Sequence, residues 1–191
     1  MTRPTWRRRL VALAAVLTAT AAASLTLVAC LDDPLGPTES VCPDRQAFKL
    51  FVSPLVERRC GTLDCHGHDQ RWFRLYGELG LRHPDELNQS GGDATTDLEL
   101  EANYRSICSS EPNKISEVTQ DPGGQSVNQL LLVRKARGIE RHKGGKVLEA
   151  FDDADLCIVG WLRGDNPKSV RSACQKALDL LPDKVELPPV P

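Results

Sequence analysis

The sequence predicts an all-α protein, a single domain of four to five short helices joined by long loops. Apolar residues recur at three- and four-residue spacings in successive segments, and residues that start and stop helices stand at the ends of those segments. The stretches between them are rich in glycine, proline and charge.

The first helix is carried by Phe48, Phe51, Val52, Leu55 and Val56, with Pro54 expected to bend or divide it. Gly77 to Asp93 reads as a long surface loop. A second helix is expected to start near Thr95 or Thr96, either of which can cap it, and to pass through Leu98, Leu100, Tyr104 and Ile107 to about Ser109, with Pro112 closing it. After the turn Asp121 to Gln125, Ser126 caps a third helix through Leu130 to Val133. Gly138 to Gly145 is a charged loop. Asp152 and Asp153 open a fourth helix that Gly164 ends, and a last one runs from Pro167 to Leu181. The tail, residues 182–191, is disordered or draped.

The N-terminus sets the compartment. Arg3, Arg7, Arg8 and Arg9 precede an apolar run from Leu10 to Val28, the layout of a signal peptide. Leu27, Val28, Ala29 and Cys30 then resemble the lipobox of bacterial lipoproteins. That resemblance implies removal of residues 1–29, diacylglyceryl transfer to Cys30 and anchoring to a membrane without spanning it. Residues 30–41 would be a flexible tether and residues 42–181 the folded domain. Leu31 directly after the lipidated cysteine leans toward the outer membrane, with the domain facing the periplasm or the outside.

Processing would remove four of the 24 basic residues and none of the 26 acidic ones, taking the net charge from −2 to −6 over the remaining 162 residues. Nucleic acid and anionic lipid are poor partners for such a chain. Six cysteines remain besides Cys30, namely Cys42, Cys60, Cys65, Cys108, Cys157 and Cys174, an even number suited to an oxidising compartment.

The chemistry concentrates in Arg59 to His68, RCGTLDCHGH, where His66 directly follows the second of two cysteines. An apolar helix leads into it, Leu75 lies nine residues beyond His66, the segment HKGG begins at His142, and a late helix holds Ile158, Trp161, Leu162 and Gly164. Together these resemble the cytochrome c-like domain family, in the variant with four residues between the cysteines. The resemblance spans roughly Phe48 to Gly164.

It implies covalent haem c on Cys60 and Cys65, His66 as the proximal iron ligand, and one-electron transfer with redox partner proteins of the envelope; the protein need not be an enzyme. Met1 is the sole methionine and leaves with the signal peptide, so the distal ligand must come from elsewhere. His68 is too near His66 to reach the opposite face, and His83 sits in the long loop. His142 occupies the place where the family carries its distal ligand.

Two other readings stand beside this one. Cys60 and Cys65 can close a disulfide in a haem-free, disulfide-stapled lipoprotein acting as a structural or interaction module, with all six cysteines paired. Alternatively, Cys60, Cys65, His66 and His68 are ligand types that suit zinc or copper. Under the haem reading Cys42, Cys108, Cys157 and Cys174 are left to form two disulfides. Trp72 and Trp161 are expected in the core.

Overall fold

A computed structural model of the chain describes residues 40–83, 94–121, 124 and 126–191. The expected signal peptide, Cys30 and nearly all of the expected tether lie outside the described residues, as do residues 84–93 of the expected long loop.

The expected helical class is observed: half of the described residues are helical, with no strand among them. Helix α1 is one continuous stretch built of Arg45–Ala47, a π-helical segment Phe48–Val52 and Ser53–Cys60. Pro54 accounts for the π turn. Its ring nitrogen cannot donate, and the backbone widens just before it, the Ser53 N–H reaching the Phe48 carbonyl five residues back. The proline thus deforms the helix and does not divide it.

Helix α2, Asp97–Cys108, starts in a capping box. The Thr96 hydroxyl accepts from the Glu99 N–H, and the Glu99 carboxylate accepts from the Thr96 N–H. Pro112 does not close this element; it opens a further helix, α3, Pro112–Gln120. Proline at the first helical position sacrifices only an N–H that has no partner there, so the same residue serves as a start as readily as a stop. A 3₁₀ turn at Ser126–Gln129 leads into the short helix α4, Leu131–Ala136. Helices α5, Asp153–Leu162, and α6, Pro167–Asp179, follow. The described residues therefore hold six helices, where four to five were expected.

Helices α5 and α6 form an antiparallel hairpin. Gly164 at φ 72° lets the chain leave α5, and the Asp165 N–H returns to the Gly160 carbonyl. A disulfide between Cys157 and Cys174 locks the pair, and a second, between Cys42 and Cys108, ties the start of the domain to the end of α2. Both join cysteines that the haem reading leaves available.

The core packs the apolar face of α1 against this hairpin. Trp161 lies 2% exposed with its ring 5.0 Å from that of Phe48, and its indole N–H donates to the Asp44 carbonyl at 2.7 Å. Arg137 and Asp155 form a buried bidentate ion pair, both hydrogen bonds 2.7 Å long, that holds the end of α4 to α5. Of the two expectations for residues 182–191, disordered or draped, the structure shows the second. Leu187 is buried, its N–H donates to Gln175, and Arg171 of α6 donates to the Leu187 and Pro188 carbonyls. No helix among the described residues is long and apolar enough to cross a membrane.

Candidate functional site

Helix α1 ends at Cys60, and Gly61 continues into a tight loop. The Cys65 and Gly67 N–H groups both return to the Thr62 carbonyl, and the His66 N–H bonds the Cys60 carbonyl at 2.8 Å. The four residues between the cysteines are therefore one turn, which brings both thiols and His66 to one wall. Three glycines make that turn possible. A Cβ on Gly67 would lie 1.9 Å from the Gly61 carbonyl oxygen, and one on Gly80 would lie 2.8 Å from the Gly67 Cα. Arg71 braces the turn from outside through the Cys65 and Asp64 carbonyls.

The second wall is the loop between α4 and α5. Gly138 at φ 69° ends α4, and the Val147 and Leu148 N–H groups bond back to the Ala136 carbonyl, closing the excursion 137–146. Its tip turns at His142–Gly145, with Gly145 at φ 74°. Arg59 of α1 joins the walls by donating to the Val147 carbonyl at 3.1 Å.

Between the walls lies a cavity of about 1110 Å³, counting its open mouth, whose lining is mostly apolar. Val56, Leu75, Ile107, Val133, Leu148 and Ile158 contribute to it, and Cys60, Cys65, His66 and His142 all face it. Trp161, by contrast, is a core residue outside the cavity. Trp72 is the reverse of the core residue expected: it lines the cavity mouth and is 75% exposed.

The two imidazoles are arranged alike. The rings of His66 and His142 are 10° from parallel with centroids 5.9 Å apart. The His66 Nδ1 lies 3.0 Å from the Phe73 carbonyl and the His142 Nδ1 lies 2.9 Å from the Gly145 carbonyl. A carbonyl can only accept, so each Nδ1 carries a proton, and in the neutral ring the lone pair is then on Nε2. This is the outer-shell bonding by which metal-binding histidines are held. Burial is the main cause that pushes the His66 pKa below its ordinary value, opposed by the bond to the Phe73 carbonyl and aided by the nearby His142 and Arg71, which favours the neutral ring that a ligand needs.

Cys60 and Cys65 are free thiols, unlike the other four cysteines of the domain. Burial pushes the Cys60 thiol up to about 12, the neighbouring Cys65 adds to the rise, and Arg59 opposes it. A thiol so held is protonated at neutral pH and a poor nucleophile in disulfide exchange.

The remaining histidines are elsewhere. His68 is exposed and pairs with Asp69 at 3.0 Å. His83 packs against the Tyr76 ring, and its backbone N–H is held by Glu99. Among the described residues no group of three or more His, Cys, Asp or Glu side chains is close enough to hold a metal ion by itself, which disfavours a zinc or copper cluster of Cys60, Cys65, His66 and His68. Comparisons of the chain with protein-family models, with curated proteins and with solved structures find no match.

Sequence reasoning pointed to the two thiols and two imidazoles. It missed Arg59, the Phe73 and Gly145 carbonyls and the packing of Gly61 and Gly80 against Gly67; Gly67, the glycine after His66, and Gly145, within HKGG, carried a signal.

Proposed function

We propose that this chain is a membrane-anchored lipoprotein that carries covalent haem c and transfers single electrons at the cell envelope. Cys60 and Cys65 would hold the haem through thioether bonds, His66 would be its proximal ligand and His142 its distal ligand. The observation that carries the reading is the parallel pair of imidazoles, each with Nδ1 occupied and Nε2 free, beside two unpaired thiols in an apolar cavity.

The spacing supports it. A metal–nitrogen bond of about 2.0–2.1 Å on each side, plus the depth of each ring, puts two centroids roughly 6 Å apart when one metal sits between them. The cavity supports it as well, since an apolar enclosure of this size suits a large flat cofactor, and a haem-free, disulfide-stapled core would be expected to fill that space. When bound, the haem supplies the one-electron couple. The chain supplies two imidazole ligands, and bis-histidine ligation without methionine favours a low potential.

The direct test is a reduced pyridine absorption spectrum, with haem staining on denaturing gels, of protein produced with a c-type haem maturation system. A covalent haem band that disappears in Cys60→Ala/Cys65→Ala supports the proposal. Absence of haem together with a Cys60–Cys65 disulfide would replace it with the disulfide-stapled module.

A further inference from the structure

Glu57 of α1 is 5% exposed and does not line the cavity, yet its carboxyl group lies behind the wall that carries His66. A Cβ on Gly77 would sit 2.6 Å from the Glu57 Oε2. Leu75, two residues before that glycine, lines the cavity, and its N–H donates to the His66 carbonyl at 2.9 Å. Glu57 also stands one helical turn before Cys60, and its own carbonyl accepts the Gly61 N–H at the start of the turn that holds both thiols.

This carboxyl group is hydrogen-bonded but not neutralised. Glu99 and Asp155, the other buried carboxylates among the described residues, each pair with an arginine. Glu57 has no ion-pair partner among the described residues, and its two hydrogen bonds come from the neutral hydroxyls of Ser53 and Thr95. The charges that act on it are Arg58, which pairs with Glu78 at 3.6 Å, and Glu99, which is held by Arg82 and by the Thr96 and His83 N–H groups. Those two act in opposite directions. Burial is the larger influence and holds the carboxyl above its ordinary range, so its proton is lost late and responds to any charge that appears nearby.

We propose that Glu57 is a redox-linked proton site, its carboxylate taking up a proton when the haem takes up an electron. The inference rests on the haem reading. One electron passes from a one-electron donor, an electrode or an envelope redox protein, to the ferric iron. One proton passes from solvent to a Glu57 carboxylate oxygen, so reduction leaves the charge of the interior unchanged. At a separation on the order of 10 Å and an effective dielectric constant of about 20, one added charge shifts a carboxyl by about one pKa unit. The reduced protein holds the proton more tightly, and the reduction potential therefore falls as pH rises between the two pKa values.

The test is potentiometric titration of the haem-loaded chain across the pH range, with infrared absorption of the protonated carboxyl C=O group as a second readout. The wild-type potential is expected to fall by about 59 mV in total, the equivalent of a tenfold change in proton affinity for one electron. Glu57→Gln is expected to lack that fall and to keep the haem absorption. Thr95→Val removes a bond that favours the ionised form, so it is expected to keep the fall and move it to higher pH. At the wild-type midpoint the C=O absorption should be stronger in the reduced protein than in the oxidised one, a difference absent in Glu57→Gln.

Equal pH profiles for wild type and Glu57→Gln, in protein shown to carry haem, would overturn this proposal alone. A wild-type C=O absorption indifferent to redox state would do the same, because the proton would then not follow the electron. Absence of covalent haem would fail the haem reading and this proposal together.

Discussion

The imidazoles of His66 and His142 both line the cavity, 5.9 Å between centroids and 10° from parallel, each held by a backbone carbonyl at its Nδ1. Neither ring position depends on a long side-chain network. One is set by the turn after α1 and the other by a four-residue turn at the tip of a loop, so exchanging a ligand should leave the scaffold in place.

His142→Ala is therefore expected to keep covalently attached haem while losing the six-coordinate bis-histidine spectrum, and His142→Met to raise the reduction potential by on the order of 0.1 V or more. Absorption spectroscopy and potentiometric titration check both. Full retention of the wild-type spectrum in His142→Ala would remove His142 as the ligand.

Gly67→Ala tests the turn. The added methyl group would sit 1.9 Å from the Gly61 carbonyl oxygen and 2.9 Å from the Gly80 Cα, both backbone atoms that cannot swing aside. A loss of about 2 kcal/mol or more in urea unfolding is expected. Gly145→Ala meets nothing within 4 Å and suffers only from its φ of 74°, so its cost should be nearer 1 kcal/mol.

The disulfides should differ in worth. Cys42 and Cys108 are 66 residues apart and Cys157 and Cys174 are 17 apart. The chain-entropy model gives about 4 kcal/mol for the longer loop and about 3 for the shorter. Paired serine variants compared by chemical denaturation would show the order, and a larger loss for the shorter loop would mean that packing between α5 and α6 dominates.

Glu57 offers a pH signature. It is buried, its carboxylate accepts from the Ser53 hydroxyl at 2.7 Å and the Thr95 hydroxyl at 2.5 Å, and burial raises its pKa above the ordinary 4.5 despite those bonds. A carboxyl that binds its proton more tightly when folded adds stability that is complete below pH 4.5. That stability is lost as pH rises through the elevated folded value. Glu57→Gln, which does not titrate, should gain in melting temperature relative to wild type between pH 4 and pH 8. An unchanged difference across that range would show that folding leaves the Glu57 pKa where it is in the unfolded chain.

Local signals in the sequence were read well where one residue type has one use. Thr95 or Thr96 was expected to cap a helix and Thr96 does, Gly164 was expected to end one and does, and the adjacency of Cys65 and His66 marked the site. Pro112 was ambiguous because proline is tolerated at a first turn and excluded from an interior, so its role depends on which residues follow and pack. Trp72 was misplaced for a related reason: a large aromatic belongs in a core by average, and only the folded chain decides which of two is left at a cavity mouth.

What the sequence by itself determined was the helical class, some of the helix starts and ends and the supply of two thiols and two histidines, because these follow from spacings of a few residues along one chain. Tertiary structure alone decided which cysteines pair, how closely the His142 ring, already chosen in the sequence, approaches that of His66, and that a cavity opens beside them. Those outcomes are distances between residues far apart in sequence. They are fixed by how α1, the α4–α5 loop and the α5–α6 hairpin share one apolar core, and no local pattern encodes that sum.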